Sequence, residues 1–466
     1  MNGDGRERLM RDGRIVVVGA SLAGLRAAET LRAEGFRGHL TLIGDEPYEP
    51  YDRPPLSKQV LTGWVPAAHT DLPRRRPLDA EWRLGVAAVG LDLRAKRVRL
   101  ADGQNVDFDR LLIATGTRGR PWPHAVEASL DGVFVLRGRD DAIRLQQRLA
   151  AGPERVLVVG AGFTGSEIAS VCRELGLAVT VAERGPSPLA GALGGEIGKI
   201  AADLQREHGV DLRCGVTVSS LEGDAQRRLR RAVLDDGTTL PVEVAVVALG
   251  AVRNTEWLRG SGLGAGPRGV ACDAGCRAFD MYGIVTDNVF VAGDVARSPH
   301  PLFDYQFLAL EHWGNAVEGA ETAAHNMVCA ESERRPHLSV PIFWSIQFGI
   351  NIKSVGVPPL GNEVMITQGS VSERRFVAAY GHQGRIVAAV MFNQAKWLEF
   401  YQALIEEGAS FPPTFRNVDQ ASREEPVPAD FPAPGVVSHD PQIVLTGHGP
   451  SERRWELVPA GMGAAS

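Results

Sequence analysis

Two glycine-rich turns with the spacing of a dinucleotide-binding fingerprint stand 141 residues apart in this 466-residue chain. The segment RIVVVGASLAGLRAAETLR begins at Arg14, and RVLVVGAGFTGSEIASVCR begins at Arg155. In each, β-branched residues precede small residues and an amphipathic helical pattern, which predicts a strand, a tight turn and a helix. Such a turn lets the backbone approach a pyrophosphate, to which the helix N-terminus offers unpaired N–H groups. The residues predicted to cradle the two pyrophosphates are Gly19, Ser21, Gly24, Gly160, Gly162 and Gly165.

Carboxylates follow the next predicted strand in both units. Asp45 and Glu46 come just after the strand HLTLI, and Glu183 stands 21 residues after the middle glycine of the second turn. A carboxylate at this position can accept hydrogen bonds from the hydroxyls of an adenosine ribose. Because it also repels a 2′-phosphate, Glu183 favours NADH over NADPH, whereas Arg184 beside it acts in the opposite direction.

The elements that position these residues predict an α/β fold with two Rossmann-like dinucleotide-binding domains and a small α+β C-terminal domain. The chain leaves the first domain at the end of the strand DRLLIATG, and it leaves the second at the end of the similar strand VEVAVVALG. We call these two points the exits. The strand NVFVAGDVA and a helix from about Phe307 to Met327 then return the chain to the first domain. The strand-like runs FVAAYGH and RIVAAVMF, joined by a turn, belong to the third.

The predicted domain boundaries follow from these exits and from a change in composition. Nine of the 29 prolines fall in the last 56 residues, which predicts an extended or partly disordered tail. The boundaries are 12–118 and 251–330 for the discontinuous first domain, 119–250 for the second, 336–410 for the C-terminal domain and 411–466 for the Pro-rich extension.

Composition and charge exclude several classes of protein. The net charge of −6 and the absence of a basic stripe argue against nucleic acid as a partner. No apolar run approaches the ~20 residues of a membrane span, and the polar N-terminal segment has no signal-peptide pattern, so we expect a cytoplasmic protein without a membrane partner. Five widely spaced cysteines predict no metal centre, and Cys272 and Cys276 are interpreted as structural.

The segment YEPYDRPPLSK, taken with ATG, VFVAGD and EHWGNA, resembles the FAD-dependent NADH:ferredoxin reductases of bacterial oxygenase systems, the family of putidaredoxin reductase and the biphenyl dioxygenase reductase. The resemblance covers about residues 12–408. It implies an oxidoreductase that binds FAD at the first turn and NAD at the second. Such an enzyme passes electrons to an iron–sulfur ferredoxin and so indirectly serves an oxygenase. Hydride transfer delivers two electrons, which a flavin can pass on singly.

The resemblance also implies roles for residues around the flavin. Arg53 would grip phosphate oxygens, and Lys58 would stabilise negative charge on the reduced ring. Asp294 would bind ribityl hydroxyls, with N-capping of a helix as the alternative. A helix that opens near Glu311 would aim its positive end at the ring. The other implied FAD contacts are Gly116, Arg137, His312 and Trp313.

Three residues are the implied catalytic set. Lys58 would pair with Glu167 beside the nicotinamide, although a first-turn glutamate is also favoured by the helix dipole alone. Trp344 would lie near the isoalloxazine. Two positions depart from the family pattern: Gly191 replaces a frequent arginine, and Ile346 replaces a usual aspartate. These departures leave open how the adenosine end is held and which electron acceptor is used.

Two alternative functions remain. A disulfide reductase or NADH oxidase of the same fold would need a redox cysteine close to the flavin, and residues 44–63 contain none. The other alternative is an NADH-binding flavoprotein with a signalling or scaffold role, in which the Pro-rich tail would be an interaction element.

Overall fold

The computed structural model describes residues 11–414, 425–432, 442–446 and 454–458, so the predicted extension 411–466 lies partly outside the described residues. Within them, two sheets of largely parallel strands carry the two glycine turns, and an antiparallel sheet follows. The α/β fold class predicted from the sequence is confirmed.

The first large sheet has six strands and is built around the first glycine turn. Its strand Arg14–Val18 is parallel to Arg110–Ile113 on one side and to His39–Gly44 on the other. Ile15 and Val17 pack towards the two helices described below. Val16 and Val18 pack towards the small antiparallel sheet within residues 88–107, so both faces of the strand are buried. In spatial order, the strands are Arg277–Phe279, Val285–Val291, Arg110–Ile113, Arg14–Val18, His39–Gly44 and Glu81–Leu84.

Two helices pack together on this sheet: the first fingerprint helix, Leu22–Ala33, and the return helix, Trp313–Val328. The sequence predicts the return helix from about Phe307, and this start was wrong. Gln306–Leu308 is instead a strand that pairs antiparallel with Ala296–His300. A short apolar run fits either a strand or a helix, and here the neighbouring strand decides.

The second large sheet has five parallel strands around Arg155–Val159. The second fingerprint helix, Phe163–Glu174, follows the second glycine turn. The kinked helix, Ala190–Glu207, follows the next strand and has non-helical backbone at Gly194. In spatial order, the strands are Asp211–Cys214, Ala178–Glu183, Arg155–Val159, Val244–Val247 and Val133–Val135, and the flanking elements are the helices Ala125–Ala128 and Arg139–Ala150 and the antiparallel strands Val218–Gly223, Leu229–Leu234 and Thr239–Pro241.

The chain enters and leaves this second unit through one two-stranded connecting ribbon. Its strands, Thr117–Gly119 and Ala251–Arg253, pair antiparallel. The two predicted exits of similar sequence therefore lie directly beside each other.

The C-terminal sheet is antiparallel and has six strands, covered by the helix Leu398–Glu406. Its first strand, Ile342–Gln347, faces the first two units. In spatial order, the strands are Ile342–Gln347, Ile350–Gly356, Arg385–Phe392, Arg375–His382, Glu363–Ser370 and Val427–Pro428.

Smaller elements complete the described chain. The strands Ala88–Asp92, Arg97–Leu100 and Asn105–Asp107 form one sheet, Ala265–Gly266, Gly269–Ala271, Ala296–His300 and Gln306–Leu308 form another, and Gln442–Thr446 pairs with Arg454–Val458. Short 3₁₀ helices span Pro54–Ser57, Ala67–His69, Glu256–Leu258, Gly293–Val295, Pro301–Phe303, Glu331–Glu333, Pro358–Leu360 and Ala395–Trp397.

Candidate functional site

A cleft of about 440 Å³ lies between the first glycine turn, the start of the second fingerprint helix and the first strand of the C-terminal sheet. It collects most of the residues predicted from the sequence. Those that line it are Gly19, Ser21, Asp45, Glu46, Arg53, Lys58, Gly116, Arg137, Glu167, Asp294, Glu311, His312, Trp313 and Trp344. The predicted residues that do not line it are Gly24, Gly160, Gly162, Gly165 and Glu183.

The first glycine turn is shaped by two close approaches of backbone to backbone. Gly19 has φ +121°, and a Cβ there would lie 2.0 Å from the carbonyl oxygen of Ala114. A Cβ on Gly24 would lie 1.9 Å from the carbonyl oxygen of Gly19, so this residue packs the helix on the turn and does not face the cleft. Any larger residue at either position would push the helix away from the strand.

The second turn repeats this construction. Gly160 has φ +98°, and its Cβ would lie 2.6 Å from the carbonyl oxygen of Ala248. A Cβ on Gly165 would lie 2.0 Å from the carbonyl oxygen of Gly160. The middle residue of each turn, Ser21 or Gly162, is the N-cap of its helix and makes no capping hydrogen bond through a side chain. First-turn N–H groups beside a small residue fit a pyrophosphate, which is the group that a dinucleotide would place there.

Lys58 and Glu167 form an ion pair at the inner end of the cleft, with 2.7 Å between Nζ and Oε2. The Glu167 carboxylate also accepts hydrogen bonds from Ser57 Oγ at 2.5 Å and from Ser345 Oγ at 2.6 Å. Its side chain is only 7% exposed, and a buried carboxylate needs such partners. The three partners come from the loop after the first unit and from the C-terminal sheet, so this one carboxylate joins three parts of the chain.

Ser57 and Ser345 were not among the predicted site residues. In the strand Ile342–Gln347, the polar residues Ser345 and Gln347 are buried, and Ile346 is 45% exposed. The hydrogen bonds that Gln347 Nε2 donates to Ser345 Oγ and that Ser345 donates to Glu167 satisfy the two buried polar side chains.

A second charged cluster lies at Arg53. Its Nη2 pairs with Glu46 Oε2 at 2.9 Å, and its Nη1 donates to the carbonyl oxygen of Arg137 at 3.0 Å. Tyr51 donates its hydroxyl proton to Glu46 Oε1 at 2.9 Å, and burial raises the pKa of Tyr51 to about 12. The Glu46 carboxylate thus binds the Arg53 guanidinium, which the family resemblance assigns to phosphate binding. Because an arginine carries five N–H donors, Arg53 can bind the carboxylate and a phosphate together.

Asp294 and Glu311 are each paired with an arginine. Arg137 Nη2 donates to Asp294 Oδ2 at 2.7 Å, and Thr117 Oγ1 donates to the same oxygen at 3.3 Å. Asp294 lies inside the short turn Gly293–Val295 and is not its N-cap. Arg253 Nη2 lies 3.2 Å from Glu311 Oε1, and burial raises the pKa of this carboxyl.

The N-terminus of the return helix points its first residues at the cleft. His312 is the N-cap, its Nδ1 is buried without a protein partner among the described residues, and burial lowers its pKa to about 4. Trp313 donates its indole N–H to Asp52 Oδ1 at 2.9 Å and packs edge to face with Trp344, with 6.3 Å between ring centroids. Asp52, which sequence reasoning missed, is half-buried and has a pKa raised by that burial. An orphaned nitrogen and aromatic walls fit a flat heteroaromatic ligand with carbonyl and N–H groups.

The side-chain carboxylate of Glu183 binds backbone N–H groups at and near the second turn. Its Oε2 accepts the N–H of Ala161 and its Oε1 accepts the N–H of Gly185, each at 2.6 Å. Each carboxylate oxygen has a second lone pair, so ribose hydroxyls can still donate to it. Arg184 and Gly191 are exposed.

The five cysteines are free thiols, and none of them lines the cleft in the described part of the chain. Burial raises the pKa of Cys172 to about 12, which opposes formation of a reactive thiolate. Among residues 11–414 and the shorter described stretches, no cluster of potential metal ligands occurs. No helix within those same residues has the length and apolar character needed to span a bilayer.

Comparison with known proteins gives two family matches. Residues 13–320 match a model described as pyridine nucleotide-disulphide oxidoreductase, and residues 342–422 match one described as reductase C-terminal. The second match ends at residue 422, so the described segment 425–432 lies beyond it.

The chain is similar to a ferredoxin reductase, to an apoptosis-inducing factor and to a chain in a putidaredoxin reductase complex. The chain is 34% identical over 382 residues to a probable ferredoxin reductase of Castellaniella defragrans, and the match covers 80% of this chain and 89% of that protein. It is 32% identical over 379 residues to apoptosis-inducing factor 3 of Homo sapiens, over 81% of this chain and 60% of that protein. A chain in the crystal structure of the covalent putidaredoxin reductase–putidaredoxin complex has a TM-score of 0.79 and 27% identity, covering 85% of this chain and 94% of that one. These comparisons confirm the resemblance inferred from the motifs.

Proposed function

The chain belongs to the pyridine nucleotide-disulphide oxidoreductase family, and from this membership we propose an NADH-dependent reductase that passes electrons through FAD to an iron–sulfur ferredoxin serving an oxygenase. The observation that carries the proposal is the Lys58–Glu167 pair. It lies in a cleft that begins at the first glycine turn and ends at the helix of the second. One cleft thus extends from the first predicted dinucleotide turn to the helix that follows the second.

FAD fits the first glycine turn and the cleft beyond it. When bound, it supplies an acceptor for the two electrons of a hydride that can be reoxidised in single-electron steps. We assign the pyrophosphate to the turn at Gly19 and Ser21, with Gly24 supporting the turn from behind. The ribityl hydroxyls are assigned to Asp294, which Arg137 orients. The other contacts that we assign to FAD are Asp45, Glu46, Arg53, Lys58, Gly116, Glu311, His312 and Trp313.

The return helix and Lys58 supply positive charge to the inner cleft. The helix dipole places its positive end at Trp313, and the Lys58 ammonium lies 15% exposed beside Glu167. Fixed positive groups stabilise negative charge that develops next to them, since no reorganisation is needed at the moment of reaction. His312, with its lowered pKa, stays neutral at physiological pH and does not add to that charge.

NADH is assigned to the second turn. Gly160, Gly162 and Gly165 would hold its pyrophosphate, and Glu183 its adenosine ribose. The nicotinamide end would then approach the start of the second fingerprint helix, where Glu167 is buried. We propose that Trp344 covers the cleft on the side where the electron acceptor docks.

The domains follow from these assignments. Residues 12–118 and 251–330 would form the FAD-binding domain, 119–250 the NAD-binding domain and 336–410 the C-terminal domain. A cytoplasmic location is consistent with the five free cysteines, because thiols persist in a reducing compartment.

An anaerobic titration tests the proposal. Purified protein should show a flavin spectrum that NADH bleaches, and added ferredoxins should then accelerate cytochrome c reduction. Failure of every ferredoxin to accelerate turnover, with a long-lived reduced complex, would contradict the reductase function. That result would favour a signalling or scaffold role, a candidate supported by the similarity to apoptosis-inducing factor 3.

A further inference from the structure

Residues 425–432, which we call the strap, attach to the edge of the C-terminal sheet. Val427–Pro428 pairs antiparallel with Glu363 and Val364. The N–H of Ala429 donates to the carbonyl oxygen of Asn362 at 3.0 Å. A proline is compatible with an edge strand, where its missing N–H costs no ladder hydrogen bond.

On its other side, the strap contacts the start of the kinked helix. The carbonyl oxygen of Asp430 accepts the N–H of Gly195 at 2.9 Å, and Ala429 is fully buried. Gly194 has φ +78° and ψ 163°, and a Cβ there would lie 2.2 Å from the carbonyl oxygen of Ala429. The helix is therefore interrupted where the strap crosses it, and only glycine allows this approach.

The start of the kinked helix also contacts the second glycine turn. The N–H of Leu189, its N-cap, donates to the carbonyl oxygen of Ala161 at 3.0 Å. The N–H of Leu193 donates to the carbonyl oxygen of Leu189 at 2.8 Å. This bond connects Leu189 to the part of the helix, at Gly195, that the strap contacts. Ala161 is the same residue whose N–H binds Glu183. A continuous set of backbone contacts thus runs from the strap to the predicted NADH turn.

The first turn of this helix is poor in intrinsic stability. Its first six residues include Gly191 and Gly195, which stabilise a helix less than alanine does, and Gly194, whose left-handed backbone interrupts the helix. A helix start of this composition depends on contacts from outside. The strap supplies one such contact, and Tyr380 supplies another through its hydroxyl, which donates to the carbonyl oxygen of Leu193 at 2.6 Å.

We propose that the strap is a positioning element for NADH: it holds the start of the kinked helix against the second glycine turn and so increases the affinity for the dinucleotide. The inference rests on the proposed function in one respect, since it takes the second turn as the NADH site. The strap lies beyond residues 342–422, where the reductase C-terminal match ends.

Two truncations of the full chain separate the strap from the residues around it. One ends after Glu424 and removes the strap; the matched control ends after Pro432 and keeps it. NAD⁺ binding to the oxidised protein, measured by calorimetry, should weaken about tenfold in the first and stay within twofold of the intact chain in the second. A tenfold change corresponds to about 1.4 kcal/mol. In turnover, the KM for NADH should rise with kcat nearly unchanged, and flavin content should stay the same.

A pair of point substitutions tests the same contact if the first truncation folds poorly. Asp430 has φ +59°. Proline cannot adopt this angle, so Asp430→Pro should displace the strap, whereas Asp430→Gly keeps both the angle and the carbonyl acceptor. We expect Asp430→Pro to reproduce the weaker NAD⁺ binding and Asp430→Gly to leave it unchanged. Amide hydrogen exchange of residues 189–196 should be faster only in the proline variant.

The possible outcomes distinguish the strap from the proposed function. If the intact chain does not bind NAD⁺, the proposed function fails and the inference fails with it. If the intact chain binds NAD⁺ and the chain ending at Glu424 binds it equally well, only the strap inference is overturned. Loss of flavin in step with loss of NAD⁺ affinity would also overturn it, because the strap would then support the whole fold.

Discussion

At the scale of single residues, the Glu167 carboxylate links separate parts of the chain within the cleft. It pairs with Lys58 and accepts from two serines that belong to different parts of the chain. Breaking a buried ion pair leaves one charge without compensation, which is more costly than the pair itself is stabilising. Substitution of Lys58 or Glu167 should therefore change both the positions of the residues that line the cleft and the electrostatic potential at a bound flavin.

Lys58→Ala and Glu167→Ala should each slow the bleaching of the flavin by NADH in stopped flow. We expect a loss of roughly 100-fold, the usual effect of removing one preorganised charged or donor group. Lys96→Ala is the control, because that lysine is exposed on a turn and does not line the cleft. A bleaching rate within twofold of the native protein in both variants would remove the pair from the reductive half-reaction.

Trp344→Ala should separate the two half-reactions. The side chain lines the cleft and packs against Trp313, and we propose that it faces the acceptor, so its loss should leave flavin bleaching nearly intact and slow ferredoxin-mediated cytochrome c reduction. Ile346→Asp changes an exposed side chain two residues further along the same face of the strand and tests whether that position selects the partner. Equal losses in both half-reactions of Trp344→Ala would contradict a role on the partner side.

Glu183 should give a preference for NADH over NADPH. Burying a phosphate beside this carboxylate and losing a ribose hydrogen bond should together cost about 2–3 kcal/mol, or roughly 30- to 100-fold in kcat/KM. Glu183→Ser should reduce the preference by most of that factor. Comparable kcat/KM values for the two donors with the native protein would mean that Arg184, which is exposed beside it, contacts the 2′-phosphate.

The sequence predicted the charged and aromatic residues of the cleft better than its small polar ones. The glycines, Lys58 and Glu167 belong to motifs with strong spacing rules. Ser345 has no such signal, because its burial depends on a carboxylate 178 residues away. A contact of that kind is set by how the units pack and is absent from any local pattern.

At the scale of elements, each strand, glycine turn and helix of the two fingerprints was predictable because propensity, spacing and backbone geometry agree. The return helix was the exception. Its start depends on the antiparallel pairing of Gln306–Leu308, which no local period indicates. The N-terminus of this helix carries His312, whose pKa burial lowers to about 4.

Acidification from pH 6.5 to about 4 should destabilise the folded protein through His312 and His337. Burial lowers the pKa of each to about 4, so the folded state keeps both neutral while the unfolded chain binds protons from about pH 6.5 downwards. The stabilisation is complete above pH 6.5 and is lost as the pH falls towards 4, on the order of 2 kcal/mol for each histidine. Chemical denaturation between pH 4.5 and 7.5 measures this.

The matching variants are His312→Gln and His337→Gln, which should flatten that pH dependence. His69→Gln is the control, because His69 is exposed on a short turn. An unchanged slope in both buried variants would show that other groups cause the loss of stability in acid.

At the scale of the whole molecule, the packing of three units around one cleft implies a cofactor held by contacts alone. We expect one FAD per chain, bound without a covalent bond, and no metal. After denaturation and ultrafiltration, the flavin should appear in the filtrate in a one-to-one ratio to protein. Flavin that stays with the denatured chain, or iron in stoichiometric amount, would contradict this expectation.

The connecting ribbon gives the architecture a further property. Because Thr117–Gly119 and Ala251–Arg253 are hydrogen-bonded neighbours, the inserted unit begins and ends at almost the same point in space. A unit with adjoining ends can be exchanged as a cassette without changing how the surrounding chain closes. The ribbon is therefore the natural splice point at which the choice of electron donor could be engineered separately from the flavin and its acceptor.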